Sequence, residues 1–434
     1  METNDNLKKR LHKAIPGGAH TYSRGDDQFP LNAPAILSHG KGAYVWGIDG
    51  TRYLDYGMGL RSVNLGYGNE EVCNAVYEES MKGNNLTRPS LTELKAAELM
   101  IDTVTAIDMV KFAKHGSTVT TAAVKLARAY TGRKYIAVPQ EQPFFSFDDW
   151  FIGSTVIRRG TIEESASYTL KFAFNDIESL NKLFEEYPGQ IAGVMMEAAT
   201  NILPIGSFLS QVQSLCKKEW ALFIVDEMIT GFRWHLNGAQ KYYDLDPDLT
   251  TFGKAMANGF AVAALGGKKE IMELGSILTE GAERVFLTST THGAEMSALG
   301  AFIKTAEVLK RDNVIDHFWS YGEKLMRGFN DLAEKKGIRD FIYMEGAYCS
   351  PNYVTKDKTG TVSLSLRTIF AEQLLDRHVM MPYIALSASH GSEELSMTLE
   401  AVDKAMDTYG KALDGDVSAY LRSPVIKPVF RKYN

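Results

Sequence analysis

The stretch Ala221-Leu-Phe-Ile-Val-Asp-Glu227 decides how this chain is read. Five apolar residues in a row with no alternation describe a strand buried on both faces, and such strands occur in parallel sheets covered by helices. Upstream, Ile191-Ala-Gly-Val-Met-Met196 has the same texture. Between the two, a segment from about Gly206 places Phe208, Val212, Leu215 and Cys216 at helical spacing. Strand, helix and strand make a βαβ unit, and its second strand ends on an acidic residue. In open α/β sheets, ligands bind at the carboxyl ends of the strands.

Outward from that unit the alternation continues. A strand around Met109–Phe112 runs into a glycine turn, Lys114-His-Gly-Ser-Thr118, and then a helix, Thr121 to Tyr130. Short apolar runs at Thr250–Phe252 and Ala261–Leu265 flank Lys254. From about Ala294 the texture changes to long helices (Ala294–Lys310 and Val314–Lys336). Strands of period two follow near Phe341–Val354, then helices Ser363–Arg377 and Glu393–Gly410, and the last twenty residues read as an extended tail. The expectation is an α/β fold, a large domain with a mostly parallel sheet over 51–310 and a smaller α+β domain over 311–434. A segment 1–50 would pack on the site.

Composition bounds the function. The 434 residues carry 47 Lys+Arg against 53 Asp+Glu, a formal charge of −6, which argues against nucleic acid or an anionic membrane as the main partner. The three cysteines, Cys73, Cys216 and Cys349, are far apart with no CxxC pair, so neither a disulfide framework nor a metal site is expected. The first thirteen residues mix acids and bases without an apolar core, and no apolar run approaches the ~18 residues of a membrane span. A soluble, cytoplasmic protein is the expectation. Glycine, 37 residues, exceeds the usual ~7%, which suggests many tight loops where ligand sites are placed.

Three features carry chemistry. Asp226 at its strand end also resembles the acidic strand of a nucleotide hydrolase, but that reading needs a Gly-Lys pair followed by Ser or Thr, and none exists. Lys254 lies 28 positions later in a glycine-bracketed turn, Phe252-Gly-Lys-Ala-Met-Ala-Asn-Gly259; burial or a cationic neighbour there would make it a nucleophile toward carbonyl carbon. The turn at Gly116 opens a helix N-terminus, where free N–H groups and the helix dipole favour a phosphate.

With Asp226-Glu-Met-Ile-Thr-Gly-Phe-Arg233, Gly238-Ala-Gln240, Pro247-Asp-Leu-Thr-Thr251 and Gly253-Lys254 in order, the chain resembles the class III pyridoxal-phosphate aminotransferases. Within them it is most similar to the glutamate-1-semialdehyde 2,1-aminomutase group. Further matches are Ile15-Pro-Gly-Gly18, Gly40-Lys-Gly-Ala-Tyr44, Tyr53-Leu-Asp-Tyr56 and Ala127-Arg-Ala-Tyr-Thr-Gly-Arg133.

The resemblance implies pyridoxal-phosphate fold type I, the aspartate aminotransferase-like fold, with pyridoxal 5′-phosphate as cofactor and a homodimer with shared active sites. It implies Lys254 as the lysine that forms the internal aldimine and shuttles the proton, and Asp226 as the partner of the pyridine nitrogen. It also places Gly116, Ser117 and Met228 around the cofactor, and Thr290 as a residue reaching the neighbouring subunit's phosphate. Phe144 or Phe145 would stack on the ring where the family carries tyrosine. On the substrate side it implies Arg24, matching a carboxylate-binding arginine, and Glu197. Here the sequence departs from the family: Leu60-Arg61 stands where a tryptophan and a small residue are expected, and Glu295 where the common run is Gly-Asn-Pro. An added cation at Arg61 suggests a different or larger anionic substrate. Glu295 would bind an amine or hydroxyl groups, or cap the helix after it. The implied activity is transfer of an amino group from an amino acid to a carbonyl acceptor, with the aminomutase rearrangement, or a non-catalytic protein retaining the fold, as alternatives.

Overall fold

The computed structural model describes residues 3–434, which fold as two units. One comprises the chain to Asn69 with Asp316–Val429, the other Glu70–Ile315 with Phe430–Asn434. In the first, the tight turn at Gly42 (φ +59°) joins β1 (Leu37–Lys41) to β2 (Tyr44–Gly47), and a second turn leads to β3 (Arg52–Asp55), all antiparallel.

The second unit is the α/β body. Its strands are β4 (Met109–Ala113), β5 (Tyr135–Pro139), β6 (Thr169–Phe172), β7 (Ile191–Met196), β8 (Leu222–Glu227), β9 (Leu249–Phe252) and β10 (Ala263–Gly267). They form one sheet in the order β4-β10-β9-β8-β7-β5-β6. Every residue of β7, β8, β9 and β10 is buried, as continuous apolar runs require when helices cover both faces. β10 runs antiparallel to both neighbours, while the paired contacts among the other strands are parallel. The connection from Phe252 to Ala263 holds only a short 3₁₀ turn, Lys254–Ala257. It is too short for the helical crossover that a parallel return demands.

The helix after β4 starts at Gly116 and runs to Thr131, ending on Gly132 in the left-handed region (φ +69°). It thus begins at the glycine turn, five residues before the expected start at Thr121. The chain then returns to the first unit. β11 (Ile342–Ala347) and β12 (Ser350–Thr355) form a hairpin, and β13 (Val379–Met380) adds parallel to β3. Helices Leu364–Leu375 and Ser392–Asp414 pack together there.

Candidate active site

Register brings the site together. β8 and β9 run parallel with Asp226 opposite Thr251 and Glu227 opposite Phe252, so Lys254 follows β9 at the edge where Asp226 ends β8. Ala264 of β10 pairs with Phe252, and Ala263 pairs with Ala113 of β4. The carboxyl end of β4, and the turn to Gly116, therefore lie on that same edge. With strands about 4.8 Å apart, the three features sit within a few strand widths of one another.

Asp226 is 2% exposed. Its Oδ1 accepts the Met228 amide at 2.9 Å and the Thr251 hydroxyl at 3.0 Å. Burial pushes its carboxyl up to about 6, against the opposing pull of the Met228 amide, the positive charge of Lys254 and the Thr251 hydroxyl. A carboxylate held out of water beside a lysine is primed for a cationic N–H, which would restore its charge at little cost. Lys254 is half-buried and has φ +34°, a region that costs a side-chain-bearing residue energy and that recurs at functional sites.

Glu227, fully buried and pushed up to about 7 chiefly by burial, serves architecture. It accepts from Thr230 Oγ1, from the Ala239 amide at 2.9 Å and from the Gln240 amide at 2.7 Å, tying the strand end to the Gly238 loop.

The helix N-terminus at Gly116 has no side-chain cap from His115, which leaves its first N–H groups for an anion. Ser117 Oγ accepts the Phe147 amide at 3.2 Å and keeps its own O–H to donate. Met228 lies beneath both loops. A Cβ on Gly116 would meet its Sδ at 2.8 Å, and one on Gly253 at 2.6 Å. A side chain at either glycine would push the Met228 thioether aside.

The two candidate stacking rings separate cleanly. Phe145 is 2% exposed, packed in the core edge-on to Phe151, and its carbonyl accepts the Thr120 hydroxyl. Phe144 is 44% exposed and is the ring with a face to offer. Glu197 follows β7 and is buried, its backbone held in both directions at 2.8 Å by the Gln142 side chain. Sequence reasoning missed Gln142, whose partner is 55 residues away. It also missed the Thr251 contact, although that residue's place in the apolar run before Lys254 was a usable signal.

Glu295 does not cap the helix Met296–Arg311 with its side chain. It pairs instead with Lys114 Nζ and, at 3.0 Å, with His292 Nδ1, joining the approach to the Gly116 turn to the loop that carries Thr290. Thr290 is exposed, and a Cβ on Gly293 would meet its Oγ1 at 2.6 Å.

In the first unit, Arg24 ends the turn Tyr22–Arg24 and lines a cavity of about 570 Å³ with Leu60, Asp55, Tyr67 and Tyr383. Arg61 donates through Nη1 to Ser350 Oγ and the Ile384 carbonyl, both at 3.0 Å, and its guanidinium lies 5.2 Å from the centre of the Tyr383 ring. Met58, Gly59, Leu60 and Arg61 all have positive φ (41°, 58°, 64°, 67°). Left-handed turns cost side-chain-bearing residues roughly 1 kcal/mol or more each. The cost is met by the Asp55 carboxylate, which takes the Gly57 and Met58 amides, and by Tyr67 Oη, which takes the Gly59 amide.

A buried acid, a lysine and an open helix N-terminus at one sheet edge fit pyridoxal phosphate: the ring nitrogen, the aldehyde carbon and the phosphate each have a counterpart. Fold and donor set together define a pyridoxal-phosphate enzyme of fold type I.

The comparisons narrow this. The family model for class-III aminotransferases matches residues 22–406, and the chain belongs to that family of pyridoxal-phosphate-dependent enzymes. It is 30% identical to the glutamate-1-semialdehyde 2,1-aminomutase of Persephonella marina, over 95% of this chain and all of that one. It is also 30% identical to the enzyme of the same name from Francisella philomiragia, over 92% and 97%. Among solved structures, the FumI protein of Sphingopyxis sp. MTA144 in its pyridoxal-phosphate internal aldimine form superposes with a TM-score of 0.87 at 24% identity, covering 98% of both chains. An omega-transaminase from Sphaerobacter thermophilus gives 0.85 at 22% identity, covering 94% of this chain and 98% of its own. At those identities the structures speak to fold. Among the described residues no helix is long and apolar enough to cross a membrane, and no cluster of His, Cys, Asp and Glu suits a metal ion.

Proposed function

We propose that this chain transfers an amino group from an amino-acid donor to a carbonyl acceptor at the Asp226–Lys254 site, as a cytoplasmic homodimer. The observation that carries the proposal is the register of β8 on β9, which sets a buried carboxylate and the lysine turn at one edge. When bound, pyridoxal phosphate supplies the electron sink that makes removal of a proton from the substrate α-carbon feasible at neutral pH.

The residues divide the remaining work. Asp226 holds the ring nitrogen protonated. Lys254 Nζ would hold the cofactor and, when free, would accept and give back the proton exchanged at the substrate α-carbon. The amides at Gly116 and Ser117, with the Ser117 hydroxyl, would hold the phosphate, and Thr290 would reach the phosphate of the second subunit. Phe144 would stack on the ring, and Met228, packed against the Gly116 and Gly253 turns, would border the cofactor. Arg24 would meet a substrate carboxylate; Glu197 and Glu295 are further candidates for substrate contact. Arg61, its Nη1 held by Ser350 and the Ile384 carbonyl, adds a positive charge that suits an anionic substrate.

The relatives at 30% identity favour a second reading, glutamate-1-semialdehyde aminomutase. Against it stand Leu60-Arg61 and the ion-paired Glu295 in place of the family's usual residues. Mixing the pyridoxamine-phosphate-loaded enzyme with glutamate semialdehyde separates the two. The transaminase reading expects little 5-aminolevulinate, and rapid formation of that product overturns it. A wild-type protein that stays colourless with excess pyridoxal phosphate would instead identify a non-catalytic member of the fold.

A further inference from the structure

The family match ends at residue 406, and the chain continues for another 28 residues. Beyond Tyr420 this tail has neither helix nor strand, yet it is tied down. In the first unit the Ile426 amide donates to Thr368 Oγ1 at 3.0 Å, and the Leu31 amide to Ser423 Oγ at 2.9 Å. The last five residues, from Phe430, belong to the second unit. There the Phe430 ring lies 6.1 Å from the Phe144 ring, tilted by 38°. Phe144 is also met edge-on by Phe151 at 6.4 Å and 87°. Both separations fall in the range of attractive aromatic pairs.

Phe144 is otherwise poorly restrained. It is 44% exposed, whereas a ring that stacks on a cofactor works best when its orientation is fixed before binding. Phe151 comes from the following helix and fixes one side. The second restraint comes from almost 290 residues away.

We propose that Phe430 is a positioning residue: the C-terminal tail holds the Phe144 ring in the orientation that stacks on pyridoxal phosphate. This rests on the assignment of Phe144 above. Phe430 touches no reacting atom and acts through Phe144. Phe430 lies outside every helix and strand, so replacing it interrupts no regular element.

The test measures binding of pyridoxal 5′-phosphate to apoprotein carrying Phe430→Ala, Phe430→Leu or Phe430→Tyr, and to a chain ended at Val429. Visible circular dichroism of the bound cofactor and the thermal midpoint of each apoprotein are followed in parallel. Phe430→Ala and the truncation are expected to weaken binding about fivefold, equivalent to about 1 kcal/mol. They should also reduce the cofactor's induced dichroism and leave the apoprotein midpoint unchanged. Phe430→Tyr restores both signals, and Phe430→Leu does not restore the dichroism. Unchanged affinity and dichroism in Phe430→Ala overturn the proposal. So does a loss shared equally by all the variants and matched by a lower apoprotein midpoint, which assigns the tail to stability alone. Phe144→Ala locates any failure. If it binds like wild type, the Phe144 assignment falls and the role of Phe430 with it; if it binds weakly while Phe430→Ala does not, only the role of Phe430 falls.

Discussion

Replacing Asp226 with asparagine separates what the acid costs the fold from what it contributes to the site. The two side chains have nearly the same shape, and the Oδ1 of asparagine can still accept from the Met228 amide and the Thr251 hydroxyl. What is lost is the buried charge. Burial raises the Asp226 carboxyl from 3.8 to about 6, about two units, or about 3 kcal/mol at ~1.4 kcal/mol per unit. The folded form holds the proton more tightly than the unfolded form, so this contribution is fully present below about pH 4. It is lost as pH rises through about 6. Apoprotein with Asp226→Asn should therefore match wild type near pH 4 and exceed it by up to about 3 kcal/mol at pH 8. That figure already contains the attraction to Lys254, and relieving the repulsion on Glu227 adds to it. Urea titration of both apoproteins at several pH values measures the difference. The cofactor should respond oppositely: losing a charge-assisted hydrogen bond costs about 1.5–3 kcal/mol, roughly tenfold to a hundredfold in affinity. A variant less stable than wild type at pH 8, or one that binds pyridoxal phosphate unchanged, refutes the reasoning.

Three further outcomes follow from the geometry. Gly116→Ala drives a methyl group against Met228 Sδ and should weaken cofactor binding, and a shorter side chain in the double variant with Met228→Val should recover much of it; equal affinities for single and double variants in an equilibrium titration would show that this contact is not the cause. Glu295→Gln releases Lys114 and His292. These are partly exposed pairs, so the expected loss is only a few-fold, confined to pyridoxal phosphate and absent with pyridoxal, which lacks the phosphate; equal loss for both would place Glu295 elsewhere in the site. Arg61→Lys keeps the charge but not the paired reach of the guanidinium to Ser350 and Ile384, so KM for a bulky acceptor should shift while cofactor affinity holds, as steady-state kinetics and titration will show.

Some of this was readable in the residues and some was not, for physical reasons. β7 and β8 announce themselves because strands buried on both faces need unbroken apolar runs. The Asp226–Lys254 pair was legible because a strand end and a glycine-bracketed turn are local signals. The direction of β10 was not, since it depends on the length of its connection and on having β4 as a neighbour. β1 to β3 leave little trace in the residues, being short and partly exposed, with β13 joining them from more than three hundred residues away. Phe144 and Phe145 are indistinguishable in a sequence, and only the fold buries one and exposes the other. Glu295, read as a cap or a substrate contact, found Lys114 across a gap of 181 positions. Contacts of that kind leave no periodicity to detect.

The account stands most directly on which lysine carries the cofactor. Borohydride reduction of the pyridoxal-phosphate-loaded protein fixes the cofactor to its lysine, and peptide mass spectrometry then finds the mark. The account predicts a single modified peptide, labelled at Lys254. The sharpest competitor is Lys171, which burial over the Phe151 ring pulls down to about 8 and which is therefore a nucleophile near neutral pH. Label on Lys171, or spread over surface lysines with Lys254 unmarked, would contradict the account.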